Sequence, residues 1–294
     1  MSEAKTGISI PGPVAAAPPP ATRGPGHARI IVFGNEKGGS GKSTAAMHAV
    51  VGLLRSGRTV GSIDVDPRQA TLTRYLENRA VLMETRGIEL PLPSHRLIAR
   101  SANNPDEDAE RFMQALDSLS RSCDAVVIDT PGSDAPLARL AHSYADTLVT
   151  PMNDSFIDLD LLAKIDPETL EIICPSHYAE MVWEQKKVRL RRDGRSLDWV
   201  VVRNRLSATE TRNKRNMEKV LEKLAKRIGF RTAPGFGDRV IFREMFLSGL
   251  TLLDLREGGT KLTMSHIAAR QEVRDLLSAL AIESAPSAPA ATPA

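Results

Sequence analysis

Gly34-Asn35-Glu36-Lys37-Gly38-Gly39-Ser40-Gly41-Lys42-Ser43-Thr44 is the stretch on which the reading of this chain turns. It closes on Gly41-Lys42-Ser43 and belongs to the G-x-x-x-x-G-K-[ST] type of phosphate loop, taken here from Gly34 to Ser43. Gly38, Gly39 and Gly41 let backbone amides turn inward around phosphate oxygens, an approach that side chains would obstruct. An apolar strand, Ala28 to Phe33, precedes the loop, and a helix is predicted from Ser43 to Leu54. The first amides of that helix would face the same anion. In this setting Lys42 is expected to reach the β- and γ-phosphates of a nucleoside triphosphate, and the Ser43 hydroxyl to ligate Mg2+. The two lysines have no use in a neutral dinucleotide turn, which argues against NAD chemistry.

Working outward, two acidic strand ends complete the pattern. Thr59 to Ile63 is a predicted strand that runs into Asp64-Val65-Asp66-Pro67. Pro67 discourages further pairing, so Asp66 is expected on the emerging loop, where a carboxylate can orient water toward a γ-phosphoryl group. Asp64 is expected nearer the metal's outer shell. Ala125 to Ile128 is apolar throughout, as for a strand buried on both faces, and delivers Asp129 to a Thr130-Pro131-Gly132 turn. Asp129 would hold Mg2+ through water, and Gly132 would let the loop respond to a γ-phosphate.

Further short strands at Thr147–Thr150 and Trp199–Val202, with a helix at Phe112–Leu119, give strand–helix alternation. The expected fold is α/β, with a mainly parallel central sheet flanked by helices on both faces. Residues 1–27 and 283–294 are rich in proline and alanine, offer little to bury, and are expected to be disordered tails around one domain at 28–282. The two cysteines, Cys123 and Cys174, lack a CxxC, so a four-cysteine metal site within one chain is excluded. No apolar run is long enough to span a membrane, which makes the cytoplasm the default compartment.

Lys37-Gly38-Gly39-Ser40-Gly41-Lys42-Ser43-Thr44 carries a second lysine near its start, the deviant Walker A form. With Asp64-Val65-Asp66 and Asp129-Thr130-Pro131, the chain resembles the ParA/MinD group of P-loop ATPases. The segments at 149–160, 199–206 and 239–246 are similar to those of the MipZ family, ATPases that position bacterial division by inhibiting FtsZ assembly. The resemblance implies an ATP-bound homodimer and an ADP-bound monomer, slow Mg-dependent hydrolysis, non-specific DNA binding and a ParB-type partner. It also implies roles by position. Lys37 would reach the partner's ATP, Asp66 would position the attacking water, and Asn204 would help recognise adenine. Localisation would be cytoplasmic and nucleoid-associated.

The basic residues are unevenly spread. Lys186 to Arg227 holds fifteen Lys or Arg and five Asp or Glu, a local excess of +10 in a chain whose net charge is +3. Ser207-Ala208-Thr209-Glu210 reads as a capping box for a helix whose apolar stripe is Met217, Val220, Leu221, Leu224, Ala225 and Ile228. Arg212, Arg215, Lys219, Lys223 and Lys226 recur on another face, which can contact DNA phosphates without reading bases; Arg191, Arg192, Arg195 and Arg231 are further candidates. His48, His142 and His266 have no metal-ligand spacing, and Met181, Val182 and Trp183 read as core or interface. Two other functions fit the same enzyme core: a ParA-type chromosome or plasmid partition ATPase, and a nucleotide-binding scaffold without significant hydrolysis. A MinD-like membrane switch is disfavoured by the neutral Ala/Pro tail.

Overall fold

The structure, a computed structural model, describes residues 28–101, 104–166, 168–207, 212–255, 257 and 263–281. Both proline-rich tails and the Ser207–Glu210 cap, beyond Ser207 itself, lie outside the described residues. In chain order the first half comprises β1 (Arg29–Phe33), α1 (Lys42–Arg55), β2 (Val60–Asp64), α2 (Thr71–Arg86), β3 (Ser94–Leu97), α3 (Pro105–Ser122) and β4 (Ala125–Asp129). There follow α4 (Pro136–Tyr144), β5 (Thr147–Asn153), α5 (Phe156–Leu159), β6 (Ala163–Ile165), β7 (Ile172–Pro175) and α6 (His177–Asp193). The remainder is β8 (Asp198–Asn204), α7 (Arg212–Leu224), a π-helical turn at Ala225–Gly229, β9 (Arg231–Ala233), α8 (Ile241–Ser248) and α9 (Met264–Ala279).

Seven strands form one sheet in the order β3-β2-β4-β1-β5-β8-β9, and every pairing in it is parallel. The expected mainly parallel sheet is therefore present. β6 and β7 pair separately as an antiparallel hairpin. Alternation along each strand sends successive side chains to opposite faces. Ile30 and Val32 of β1 enter one core with Phe112 of α3, Val182 of α6 and Leu221 of α7. Ile31 and Phe33 enter the other with Val50 of α1, Ile241 of α8 and Val273 of α9. Covering both faces requires strands without polar interruptions, and Ala125–Asp129 is buried at all five positions, including the acidic one.

The expected strands are longer at their carboxyl ends than their apolar stretches: β5 runs on to Asn153 and β8 to Asn204, in register as a pair. β3 has no apolar signal, because Ser94-His95-Arg96-Leu97 is a polar, mostly exposed edge that pairing with β2 alone makes a strand. From β1 the chain moves to β2 and β3 on one side, then from β4 to β5 and β8 on the other. The order reverses around β1, so the crevice at its carboxyl end is where such sheets bind ligands.

Candidate phosphate-binding site

The loop after β1 is tied at its root to both neighbouring strands. The Phe33 carbonyl accepts a hydrogen bond from Thr130 Oγ1 at 2.9 Å on the β4 side. Gly34 N donates to Val149 O at 2.9 Å, and Asn35 Nδ2 donates to Pro151 O at 2.5 Å, both on β5. Asn35 Oδ1 in turn accepts from Lys37 N at 2.6 Å. Counted back from Gly41, the first position of the general phosphate-loop spacing is Glu36, so this loop is a variant and not the standard form.

Gly41 stands at φ 94°, and a Cβ there would lie 2.5 Å from Asn204 Nδ2. Only glycine fits both demands. Asn204, at the end of β8, donates from Nδ2 to Ser40 O at 2.9 Å, so it touches the loop directly. α1 begins at Lys42 behind Gly41 with no side-chain cap, leaving its first amides for an anion. Gly39, Gly41, Lys42, Ser43 and Thr44 form one wall of a cleft of about 480 Å³; Thr71, Asn204, Phe236, Phe242 and Arg243 line the rest.

Behind the loop the charges converge. Lys42 is buried, and its Nζ donates to Lys37 O at 3.0 Å. Burial pushes the Lys42 pKa down, against the pull of Asp129 and Asp66. Asp129 is buried at the end of β4; burial and the adjacent Asp64 push its carboxyl up to about 7, with Ser43 hydrogen bonding and Lys42 opposing. Its Oδ1 has no hydrogen-bond partner. A water-excluded carboxylate oxygen without a donor, beside a serine hydroxyl and at the open end of the sheet, fits a divalent cation. Asp66 lies on the loop after β2, half-buried, and accepts from Gln69 N at 3.4 Å.

Asp64 is held by three donors. Its Oδ1 accepts from Asp66 N at 3.0 Å, and its Oδ2 from Thr73 N at 3.1 Å and Thr73 Oγ1 at 3.0 Å. Both oxygens serve protein donors, so Asp64 pins the Asp66 loop to the first turn of α2, and Oδ1, with a single donor, keeps one acceptor site for the outer-shell place expected of it. Lys37 also stands apart from the rest of the loop. Its Nζ turns away to Ile157 O at 2.5 Å and Asp158 Oδ1 at 3.0 Å, on the segment after β5. Asp158 and Thr73 carry no local sequence signal; each meets the site only through the tertiary fold.

The basic candidates divide. Arg231 makes a paired contact with Asp198, Nε to Oδ1 at 2.9 Å and Nη2 to Oδ2 at 2.8 Å. Arg192 bonds Asp193 and Ser143 O, with its guanidinium 3.7 Å above the Tyr144 ring. Both are paired within the chain, although Arg192 stays exposed beside Asp193. Arg191, Arg195, Arg215 and Lys219 are exposed, as are Lys223 and Lys226; the Arg212 side chain is outside the described residues. The stripe opposite is buried as expected at Met217, Val220, Leu221, Leu224 and Ile228. His48 and His142 are buried, and burial lowers each pKa to about 4, so both are neutral structural groups.

A parallel sheet with a two-lysine phosphate loop after its central strand, and an aspartate at the end of the next, defines a P-loop ATPase fold of the ParA/MinD type. A family model described as ATPase MipZ matches residues 29–284, and the chain belongs to that family. Among curated proteins it is similar to the chromosome partitioning protein ParA of Myxococcus xanthus (strain DK1622), 24% identical over 177 residues. That match covers 49% of this chain and 59% of the relative's length. Among solved structures, the ATP complex of a Cyanothece McdA variant superposes with a TM-score of 0.62 at 17% identity, covering 89% of this chain and 100% of that one. MinD of Pyrococcus horikoshii OT3 complexed with Mg-ADP gives 0.53 at 16% identity, covering 86% of this chain and 97% of that one. At such identities the likeness concerns the fold.

Proposed function

We propose that this protein is a slow Mg-dependent ATPase that works as a positioning switch, dimeric with ATP and monomeric with ADP. The observation that carries this reading is the orphaned Asp129 oxygen beside Ser43 and Lys42, at the end of the strand next to the glycine loop. Relatives of the same fold are described with ATP and with Mg-ADP, which supports the same ligands here. Amides of Gly38 to Thr44 would cradle the phosphates, Lys42 would neutralise them, and Ser43 with Asp129 would hold Mg2+. The ion, when bound, supplies charge neutralisation on the phosphate oxygens. Asp66 would orient the water that displaces the γ-phosphoryl group, and Asn204 would lie along the base. Lys37, turned out of its own loop, would reach the phosphates of a partner subunit.

What the switch positions has two readings. The likeness to a chromosome partitioning protein favours a ParA-type partition ATPase that rides on non-specific DNA. Membership of the MipZ family favours the division reading, with a ParB-type partner and inhibition of FtsZ assembly. In either, the exposed lysines of α7 would supply DNA contacts, and the protein would be cytoplasmic and nucleoid-associated. Among the described residues no helix is long and apolar enough to cross a membrane.

Phosphate release and MgATP titration on the wild type, Lys42→Ala and Asp66→Ala test the enzyme. Lys42→Ala should weaken ATP binding; Asp66→Ala should bind ATP and dimerise yet lose most turnover. Equal turnover in Asp66→Ala and wild type rejects the water-orienting role. Pelleting purified FtsZ polymers with the protein and ATP, then ADP, separates the readings: ATP-dependent loss of polymer supports division, and no effect alongside DNA binding supports partition.

A further inference from the structure

We infer that Tyr178 is a positioning residue for the phosphate loop, the final donor of a buried hydrogen-bond chain that fixes the loop's first carbonyl. The inference rests on the nucleotide reading above, since the ligand affected is the triphosphate. Three side chains from three elements make the chain: Trp199 on β8, Thr150 on β5 and Tyr178 in the first turn of α6. Trp199 Nε1 lies 3.0 Å from Thr150 Oγ1, Thr150 Oγ1 lies 2.9 Å from Tyr178 Oη, and Tyr178 Oη lies 2.8 Å from Gly34 O.

The proton directions follow from the two ends. An indole nitrogen only donates and a peptide carbonyl only accepts. Tyr178 must therefore give its proton to Gly34 O, Thr150 must give its proton to Tyr178 Oη, and Trp199 must donate to Thr150. Each hydroxyl donates once and accepts once, so each link polarises the next. Trp199, Thr150 and Tyr178 are at most 2% exposed, which leaves no solvent to replace a broken link. Burial pushes the Tyr178 phenol pKa upward, and Tyr178 stays a donor.

Gly34 is the point at which this chain meets the ligand site. Its N–H is committed to Val149 O, and a Cβ on it would fall 2.0 Å from His142 Nε2. The His142 ring in turn packs edge-on to Tyr178, with centroids 6.2 Å apart. The first residue of the loop is thus held at both its N–H and its carbonyl, whereas a Cβ at Gly38 or Gly39 would meet nothing within 4 Å. Loop amides bind an anion best when already aimed, because less ordering is lost on binding. Tyr178 supplies that aim at the root, where a small rotation of the Gly34 peptide is carried along the following residues.

Tyr178→Phe keeps the ring and removes one oxygen. Its MgATP affinity, measured by calorimetry alongside the thermal midpoint and the turnover at saturating ATP, should fall by about 5–10-fold, with turnover within about twofold of wild type. Thr150→Val cuts the middle link while keeping the side-chain shape, and should weaken ATP by about 2–4-fold; Trp199→Phe, furthest away, should weaken it least. A purely structural hydroxyl would lower the thermal midpoint and leave affinity untouched. That result, or equal affinity in wild type and Tyr178→Phe, overturns the inference. Should Tyr178→Phe not fold, unchanged affinity in Thr150→Val overturns it instead. If the wild type itself binds no MgATP, the nucleotide reading falls, which is a distinguishable failure.

Discussion

Asp254→Ala should lower the thermal midpoint more than any surface change, because this one carboxylate holds two arginines. Its Oδ2 accepts from Arg79 Nη1 at 2.7 Å and its Oδ1 from Arg79 Nη2 at 3.0 Å. Arg55 Nη2 adds 2.7 Å and Arg55 Nε 3.1 Å, while Thr251 N and Oγ1 bond Oδ2 at 2.8 and 2.6 Å. Arg79 and Asp254 are both 0% exposed. Burial by itself would raise the Asp254 pKa, yet Arg79, Thr251 and Arg55 outweigh it and hold the carboxyl well below the usual range. Removing it strands a fully buried guanidinium, which costs about 3–5 kcal/mol. For a domain of this size each kcal/mol moves the midpoint by about 2–4 °C, giving a fall of about 6–20 °C. Thermal unfolding at pH 7, followed by circular dichroism, reads it. The double variant Asp254→Ala with Arg79→Met removes the stranded charge and should melt above Asp254→Ala alone. A fall under about 2 °C for the single variant, or a double variant that loses the two effects additively, refutes the reasoning.

Asp158→Ala should favour dimers: it frees Lys37 from a half-exposed ion pair worth about 1 kcal/mol or less, twice per dimer, and so tightens ATP-dependent dimerisation by at most about 30-fold. Light scattering with ATP checks this, and weaker dimerisation contradicts it. Acid should destabilise the fold between about pH 6.5 and 4. Burial lowers His48, His95 and His142 from 6.5 to about 4, so the unfolded chain binds more protons in that window and stability falls with pH. Each costs about 2 kcal/mol by pH 5. Asp129, raised to about 7, takes up a proton in the folded state and offsets about one of the three. A midpoint unchanged from pH 7 to 5 excludes the effect. Gly34→Ala drives a methyl into His142 and should abolish MgATP binding, or folding, where Gly38→Ala preserves the fold. Reversing charge at Lys219 and Lys223 together should weaken DNA binding and flatten its salt dependence; an unaltered titration removes α7 from the DNA-facing surface.

Five strands of the main sheet and the loop were legible in the chain because they depend on local rules. Ile30–Phe33 and Ala125–Ile128 are apolar at consecutive positions, a pattern that suits a strand covered on both faces, and glycines before a Gly-Lys-Ser mark a backbone that must approach an anion. The tertiary structure decided what those residues touch. Asp64 and Asp129 look alike as strand-end carboxylates, yet Thr73, brought in by α2, and Asp66 N give both oxygens of the first a donor, while the second keeps an orphaned oxygen. Fifteen basic residues in one segment suggest a single charged face, but Asp146 and Asp154, which lie before that segment, draw Arg189 and Arg203 into internal pairs, and Asp198 within it pairs with Arg231 beyond its end. Tyr178 carries no motif at all. Periodicity and spacing report which face a residue occupies and how far the backbone can turn. Which partner fills a hydrogen bond across some 144 positions is settled only when the sheet brings Gly34 and α6 together.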